Sequence, residues 1–233
     1  MKKPPLSASL LAFLGVMILC TLGLWQIQRL HWKQGLLHEI EAAWQAAPES
    51  LSAGQLAAAQ TQGRKFLRGV VHGTYLNDAA ITVGPRVLHE QQGAHLITPL
   101  ALDDHTILLV NRGWVPLSQD DDITAIAGPV AVTGLLRLPD QNNFFTPAND
   151  PAKQQWYTID PQVIAKTHDL KGVLPFIMIA EGSPDETHGK EFPLAIGGKP
   201  DLNNNHLSYA FFWFAMAGVL IVVFVIRFVL GRP

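Results

Sequence analysis

Cysteine is almost missing. Cys20 is the only one in 233 residues, so the chain closes no internal disulfide and offers no thiolate cluster to a metal. Charge is scarce as well: charged residues make up 15% of the chain and nearly cancel, 17 basic against 19 acidic, which leaves no basic footprint for a nucleic acid. No G-x-G-x-x-G, G-x-x-x-x-G-K-[ST], G-x-S-x-G or H-E-x-x-H sequence occurs, so the common dinucleotide, phosphate, acyl-transfer and zinc-protease signatures are absent. The nine histidines are scattered, with no H-x-H or H-x-x-x-H pair, and define no zinc or copper site. Asp120, Asp121 and Asp122 are consecutive and cannot converge on one point; they read as a solvated turn.

What the chain has instead is apolar length. Leu6 to Trp25 and Leu207 to Ile226 are each twenty residues without a charge, about what a helix needs to cross ~30 Å of hydrocarbon. Lys2 and Lys3 give the first run a basic start like that of a signal peptide, but its apolar part exceeds the usual ~7 to 15 residues and no small-x-small site closes it. An uncleaved anchor is expected. Lys2 and Lys3 before the first span, with Arg227 and Arg232 at the end of the second, place both termini in the cytoplasm by the positive-inside rule. The intervening region is then periplasmic, in a multi-pass protein of a bacterial inner membrane, since no Arg/Ser-rich presequence precedes the anchor.

Five regions are expected: a transmembrane helix over 1–26, a juxtamembrane helix and linker over 27–63, a β-rich domain over 64–182, a polar linker over 183–205, and a second transmembrane helix over 206–230. The helix of the first span should run on into water until Pro48 stops it. From Arg64 onward "KFLRGVVHGTYL", "AAITVGPRVL", "HLITPLAL", "TILLVNRGWVP", "VAVTGLLRL", "QWYTI" and "LPFIMIA" are short β-branched or aromatic runs separated by Gly, Pro, Asn and Asp. With one helical candidate at "DPQVIAKTH", they suggest a mainly antiparallel barrel or sandwich. In "VNRGWVP" Ile107 to Val110 should form a buried strand whose end begins at Asn111, Arg112 and Gly113, where Gly permits positive φ, and Pro116 should block continued pairing. Arg112 either orders the sheet through buried hydrogen bonds or faces a partner.

The ends of the spans carry the unusual residues. At ~100° per residue, Trp25, Gln26, Arg29, Trp32 and Lys33 fall within an arc of roughly 120°. That is either an interfacial belt of indoles and snorkelling cations or a recognition face, although Gln26 gains nothing from lipid. In the second span His206, Tyr209, Ala210, Trp213 and Ala217 share about 100°. His206 there is either a polar cap or part of a site. Ala210 and Ala217, like Ala8, Ala12 and Gly15, let another helix approach closely. If the spans pair, His206 comes near Arg29 and the indoles, which suits a planar cofactor with carboxylates at one edge, namely haem: imidazole to iron, indoles to the ring, Arg29 or Lys33 to the carboxylates.

"LGLWQIQRLHWK", "GPR" at Gly84 to Arg86, "LLVNRGWVP", "GLLR" at Gly134 to Arg137 and "HLSYAFFWF" together resemble the Surfeit locus protein 1 family, in the same order over nearly the whole chain. The resemblance implies a two-span, non-enzymatic assembly factor for cytochrome c oxidase that binds haem a and helps place it in the catalytic subunit. It implies a histidine at the second span as iron ligand, a position matched by His206. Trp25, Arg29, Tyr209 and Trp213 join it as cofactor-binding candidates by geometry alone. Gln26, Trp32, Lys33, Arg86, Asn111, Arg112 and Trp114 are candidates for partner contacts or structure. The implied partners are cytochrome c oxidase subunit I, a haem a synthase and membrane lipid, with no nucleic acid. The alternative is a membrane-anchored scaffold that binds oxidase subunits or the haem synthase and touches no cofactor.

Overall fold

Prolines delimit the first helix. Pro5 precedes it, Pro48 follows it, and none lies between to interrupt the i→i+4 ladder, so α1 runs unbroken over Leu6–Gln45. The computed structural model describes residues 4–61, 63–103, 105–117, 125–139, 143–181, 193–196 and 205–231. The aspartates at 120–122 and most of the expected linker at 183–205 lie outside these. The chain divides into two units, residues 1–39 with 201–233 and residues 40–200.

In the second unit a two-residue strand, β1 (Glu49–Ser50), leads into α2 (Ala53–Thr61). That segment reads as a short helical turn or linker in sequence, and "SAGQ" is a capping box. Gln55 Oε1 accepts from Ser52 N at 2.8 Å while Ser52 Oγ accepts from Gln55 N at 3.4 Å, satisfying donors that would otherwise end the helix. The strands β2 (Phe66–Tyr75), β3 (Ile81–Leu88), β4 (Gln91–Ala101), β5 (Ile107–Pro116) and β6 (Pro129–Arg137) follow. Then come α3 (Pro161–Thr167) and β7 (Val173–Ala180). Asp160 caps α3, its Oδ1 accepting from Gln162 N and Val163 N, with Pro161 in the first turn.

The seven strands form one sheet in the order β1-β2-β6-β7-β5-β4-β3, and β2 also pairs with β4. That last pairing, Thr74 with Ala101 and Tyr75 with Leu100, completes a circuit of five strands, β2-β6-β7-β5-β4. The sheet is mixed: β1 runs parallel to β2 and β5 parallel to β7, the other neighbours being antiparallel. Parallel pairing of β5 with β7 demands a long crossover, and β6 and α3 lie along it. "QWYTI" is not a strand. Gln155 and Trp156 make only isolated bridges, to Asp150 and Val83, because Asn149 Oδ1 takes up the amides of Tyr157 and Thr158 at 2.8 and 3.1 Å.

Two hydrophobic clusters form on either side of β5. One gathers Leu56, Val71, Leu100, Leu108, Val110, Val132, Phe176 and Met178; the other gathers Ile81, Val83, Ile97, Leu109, Trp156 and Ile164. Every residue of β5 is buried, the signature of a strand covered on both faces.

The first unit contains the second apolar helix, α4 (His206–Phe224), which continues as a π-helical turn over Val225–Leu230. Both α1 and this helix are long and apolar enough to cross a membrane. They pack against each other within the unit. A Cβ at Gly23 would sit 2.7 Å from the Phe214 ring, and one at Gly15 would sit 2.9 Å from Leu220. Ala210 and Ala217 are buried in the same contact. The glycines on α1 leave room for the Phe214 and Leu220 side chains of α4.

Candidate functional site

The end of α4 nearest the sheet unit in sequence carries a long-range polar bond of the helix pair. His206 Nδ1 and Gln26 Oε1 stand 2.8 Å apart. An amide oxygen only accepts, so the imidazole donates through Nδ1–H, and in the neutral ring the lone pair resides on Nε2. Metal-ligating histidines commonly donate their other ring N–H to an acceptor, because a hydrogen bond at one nitrogen sets the tautomer and orientation of the other. The residues present therefore fit an imidazole ligand. His206 is half-buried, so its ring is neither enclosed in the helix contact nor free of it.

The remaining candidates are placed unevenly. Gln26 and Lys33 are half-buried, at the edge of their arc next to buried Gly23, while Trp25 and Trp32 are each 54% exposed at the other edge. The Arg29 guanidinium lies over the Trp32 ring, 4.0 Å from its centroid, a cation–π contact that orients both side chains. On α4, Ala210 and Ala217 face the partner helix, Trp213 is half-buried against Phe212 with ring centroids 5.5 Å apart, and Tyr209 is 55% exposed. The structure thus joins His206 to Gln26 and Arg29 to Trp32. It leaves Trp25, Trp32 and Tyr209 as exposed rings beside them.

A second polar cluster, wholly inside the sheet unit, involves Arg86, Asn111, Arg112 and Trp114. Here β5 stops at Pro116 and Gly113 has positive φ, as the sequence suggests, and pairing runs on through Asn111 and Gly113 to that proline. Its register against β4 jumps from Leu96↔Gly113 to Ile97↔Asn111, so Arg112 is an extra residue in a β-bulge. Gly113 adopts φ 139°, and a Cβ there would collide with Leu194 O. Leu194, from the stretch expected to be linker, exchanges both backbone bonds with Trp114 at 2.8 Å. A matching irregularity between Val83 and Arg86, which contains the cis Gly84–Pro85 bond, flanks β4 on its other side. The "GPR" and "VNRGWVP" sequences are therefore bulges on either side of one strand.

Trp114 Nε1 closes this arrangement by donating to Arg86 O at 3.2 Å, and Arg86 Nη2 donates to Tyr157 O at 3.2 Å. Asn111 Oδ1 accepts from Gly113 N at 3.2 Å and its Nδ2 lies 3.4 Å from His95 Nδ1. Burial pushes His95 down to about 4, helped by the positive Arg86 and Arg137, so the ring is neutral and can accept from Asn111. Arg112 is 3% exposed, with its guanidinium 5.0 Å from the Tyr75 ring centroid. That location is inside the fold and not on a partner-facing surface.

Sequence reasoning did not single out Gly23 or His95. Gly23 carried a signal, since a glycine one turn from the polar arc permits close helix approach. His95 carried none, because a lone histidine in a strand looks the same buried or exposed.

The SURF1 family sequence model matches residues 13–218. The chain is 31% identical over 221 residues to a SURF1-like protein of Monosiga brevicollis, covering 88% of this chain and 81% of that protein. It is 29% identical over 212 residues to a SURF1-like protein of Rickettsia bellii, covering 89% and 85%. Surfeit locus protein 1 of Homo sapiens is 26% identical over 232 residues, covering 91% and 74%. The matched span contains Gln26, His206 and the entire sheet unit, and on this ground the chain belongs to the SURF1 family.

Proposed function

We propose that this chain is a membrane-anchored assembly factor for cytochrome c oxidase that takes up haem a at its helix pair and hands it to the catalytic subunit. Family membership supports the assembly role. The observation that carries the haem reading is the 2.8 Å bond from His206 Nδ1 to Gln26 Oε1, which leaves Nε2 as the nitrogen available to iron. Haem is cargo in this reading, and the chain itself performs no bond-making step. His206 is the ligand. Trp25, Trp32, Tyr209 and Trp213 offer aromatic faces to a porphyrin, and Arg29, with Lys33, offers cationic groups to its carboxylates. The same reading puts both termini in the cytoplasm, the sheet unit in the periplasm of a bacterial inner membrane, and subunit I and a haem a synthase as receiver and donor.

The test is the absorption spectrum of detergent-purified protein made alongside the haem a synthesis enzymes, wild type beside His206→Ala. Wild type is expected to carry a haem a signal that the variant loses. Wild type purified without haem from cells that make it contradicts the reading.

One observation favours a scaffold that touches no cofactor. Phe144 and Phe145 are 96% and 89% exposed on a turn tied by bonds from Phe145 N to Asn143 Oδ1 and from Asn143 N to Thr146 Oγ1. Two fully exposed rings on an ordered turn are uncommon without a partner to cover them. Under that reading Phe144→Ser with Phe145→Ser abolishes oxidase assembly, and His206→Ala leaves it intact.

A further inference from the structure

We infer that Gln26 is a positioning residue for His206, selecting Nε2 as the ligating nitrogen and, by being neutral, keeping that ligand weak enough for its cargo to leave; this rests on the haem reading above. The argument begins with cost. Gln26 follows twenty residues without a charge, and an amide at such a place is penalised unless its polar atoms are paired. Its oxygen is paired across the helix contact with a residue 180 positions away in sequence. The bond depends on spacing set by neighbours. Gly23, one turn before Gln26, admits the Phe214 ring, and Ala210, one turn after His206, is buried in the same contact. A larger residue at either place would separate the bonded groups.

The identity of the partner matters as much as its presence. Resident metal sites commonly give a ligating histidine a carboxylate or backbone carbonyl as second partner, and a carboxylate raises the basicity of the imidazole and so the strength of its bond to metal. A side-chain amide sets the same tautomer without adding charge. The ring is oriented, and Nε2 stays a weaker donor than it would be opposite Glu. Among the described residues no acidic side chain is bonded to His206, and its ring bond goes to Gln26. A neutral partner suits a protein that must bind and then release.

The experiment uses the full chain in detergent and has two arms. The first needs no haem: ¹⁵N spectra of the histidine rings, with His206 assigned by its loss in His206→Ala. Wild type is expected to carry its proton on Nδ1, and Gln26→Leu to shift to a mixture of tautomers. A proton on Nε2 in wild type overturns the proposal. The second arm titrates iron protoporphyrin IX and follows the Soret band and midpoint potential. Gln26→Leu should bind roughly 10- to 100-fold more weakly, the usual cost of losing such a partner. Gln26→Glu should restore binding, with a lower potential and slower loss of haem to apomyoglobin. Gln26→Leu within twofold of wild type, or Gln26→Glu with wild-type potential and release, refutes it. If wild type binds no porphyrin at all, the haem reading falls, and the ring spectra still decide whether Gln26 sets the tautomer.

Discussion

His95 shows how a single side chain can register pH without belonging to a site. Its ring is held neutral by burial and by the positive charges of Arg86 and Arg137, which bring it down to about 4. In the unfolded chain it titrates near its ordinary ~6.5. Between these two values the unfolded state binds the proton and the folded state does not, so acidification favours unfolding. The stability that a neutral His95 contributes is complete above about 6.5 and is lost as pH falls toward about 4. The full interval corresponds to at most about 3 kcal/mol, and less for a ring that is only partly removed from solvent. We expect the urea midpoint of the sheet unit, followed by tryptophan fluorescence, to drop between pH 7 and pH 5, and to drop measurably less in His95→Gln. Equal slopes in the two proteins would mean that other groups carry the dependence. Asn111 should not substitute for this effect, because its amide does not titrate and it bonds to the neutral ring only.

At the scale of elements, β5 is where the sequence reads best and still hides one feature, a bulge. The run from Ile107 to Val110 is apolar without a break, and the strand is indeed buried on both faces. Asn111 and Arg112 look like the beginning of its end because polar residues rarely continue such a strand, and pairing does stop at Pro116. A bulge hides this continuation: one extra residue breaks the two-residue alternation, and pairing resumes at Gly113 in a register that periodicity cannot reveal. Long-range partners were equally invisible, among them Leu194 on Trp114 and the parallel pairing with β7. The capping box before α2 and the cap before α3 were open to reading, since both are local. The bulge makes a definite prediction. Gly113→Ala places a Cβ against Leu194 O at φ 139°, combining backbone strain with a clash that only main-chain movement relieves. It should destabilise the sheet unit by about 2–4 kcal/mol. Gly128→Ala, also at positive φ (84°) but facing open space, should cost about 1 kcal/mol. Chemical denaturation of the two variants side by side separates strain from collision, and equal losses would assign the effect to φ alone.

For the whole molecule, each unit carries its own packing. The two apolar clusters draw only on residues between Leu51 and Ala180, and the buried residues of the helix unit, among the described ones, are Gly23, Ala210 and Ala217. The two long apolar helices and the residues at their ends were legible because a twenty-residue uncharged run and a helical wheel need no tertiary information. Which edge of the polar arc meets the other helix was not, because that depends on the glycine and alanines that let the two surfaces close. Separate packing has a consequence for mutants. Effects of substitutions that share no partner should add, within about 0.5 kcal/mol. Gln26→Leu and His206→Ala should therefore leave the urea midpoint of the sheet unit unchanged while abolishing or weakening porphyrin binding. Gly113→Ala should do the reverse, lowering the midpoint and leaving porphyrin affinity within twofold of wild type under conditions where the sheet unit remains folded. The double variant Gln26→Leu with Gly113→Ala should show both losses at their single-variant sizes. A midpoint lowered by Gln26→Leu, or an affinity lowered by Gly113→Ala, would reveal that folding of the sheet unit and order of the helix pair are one equilibrium.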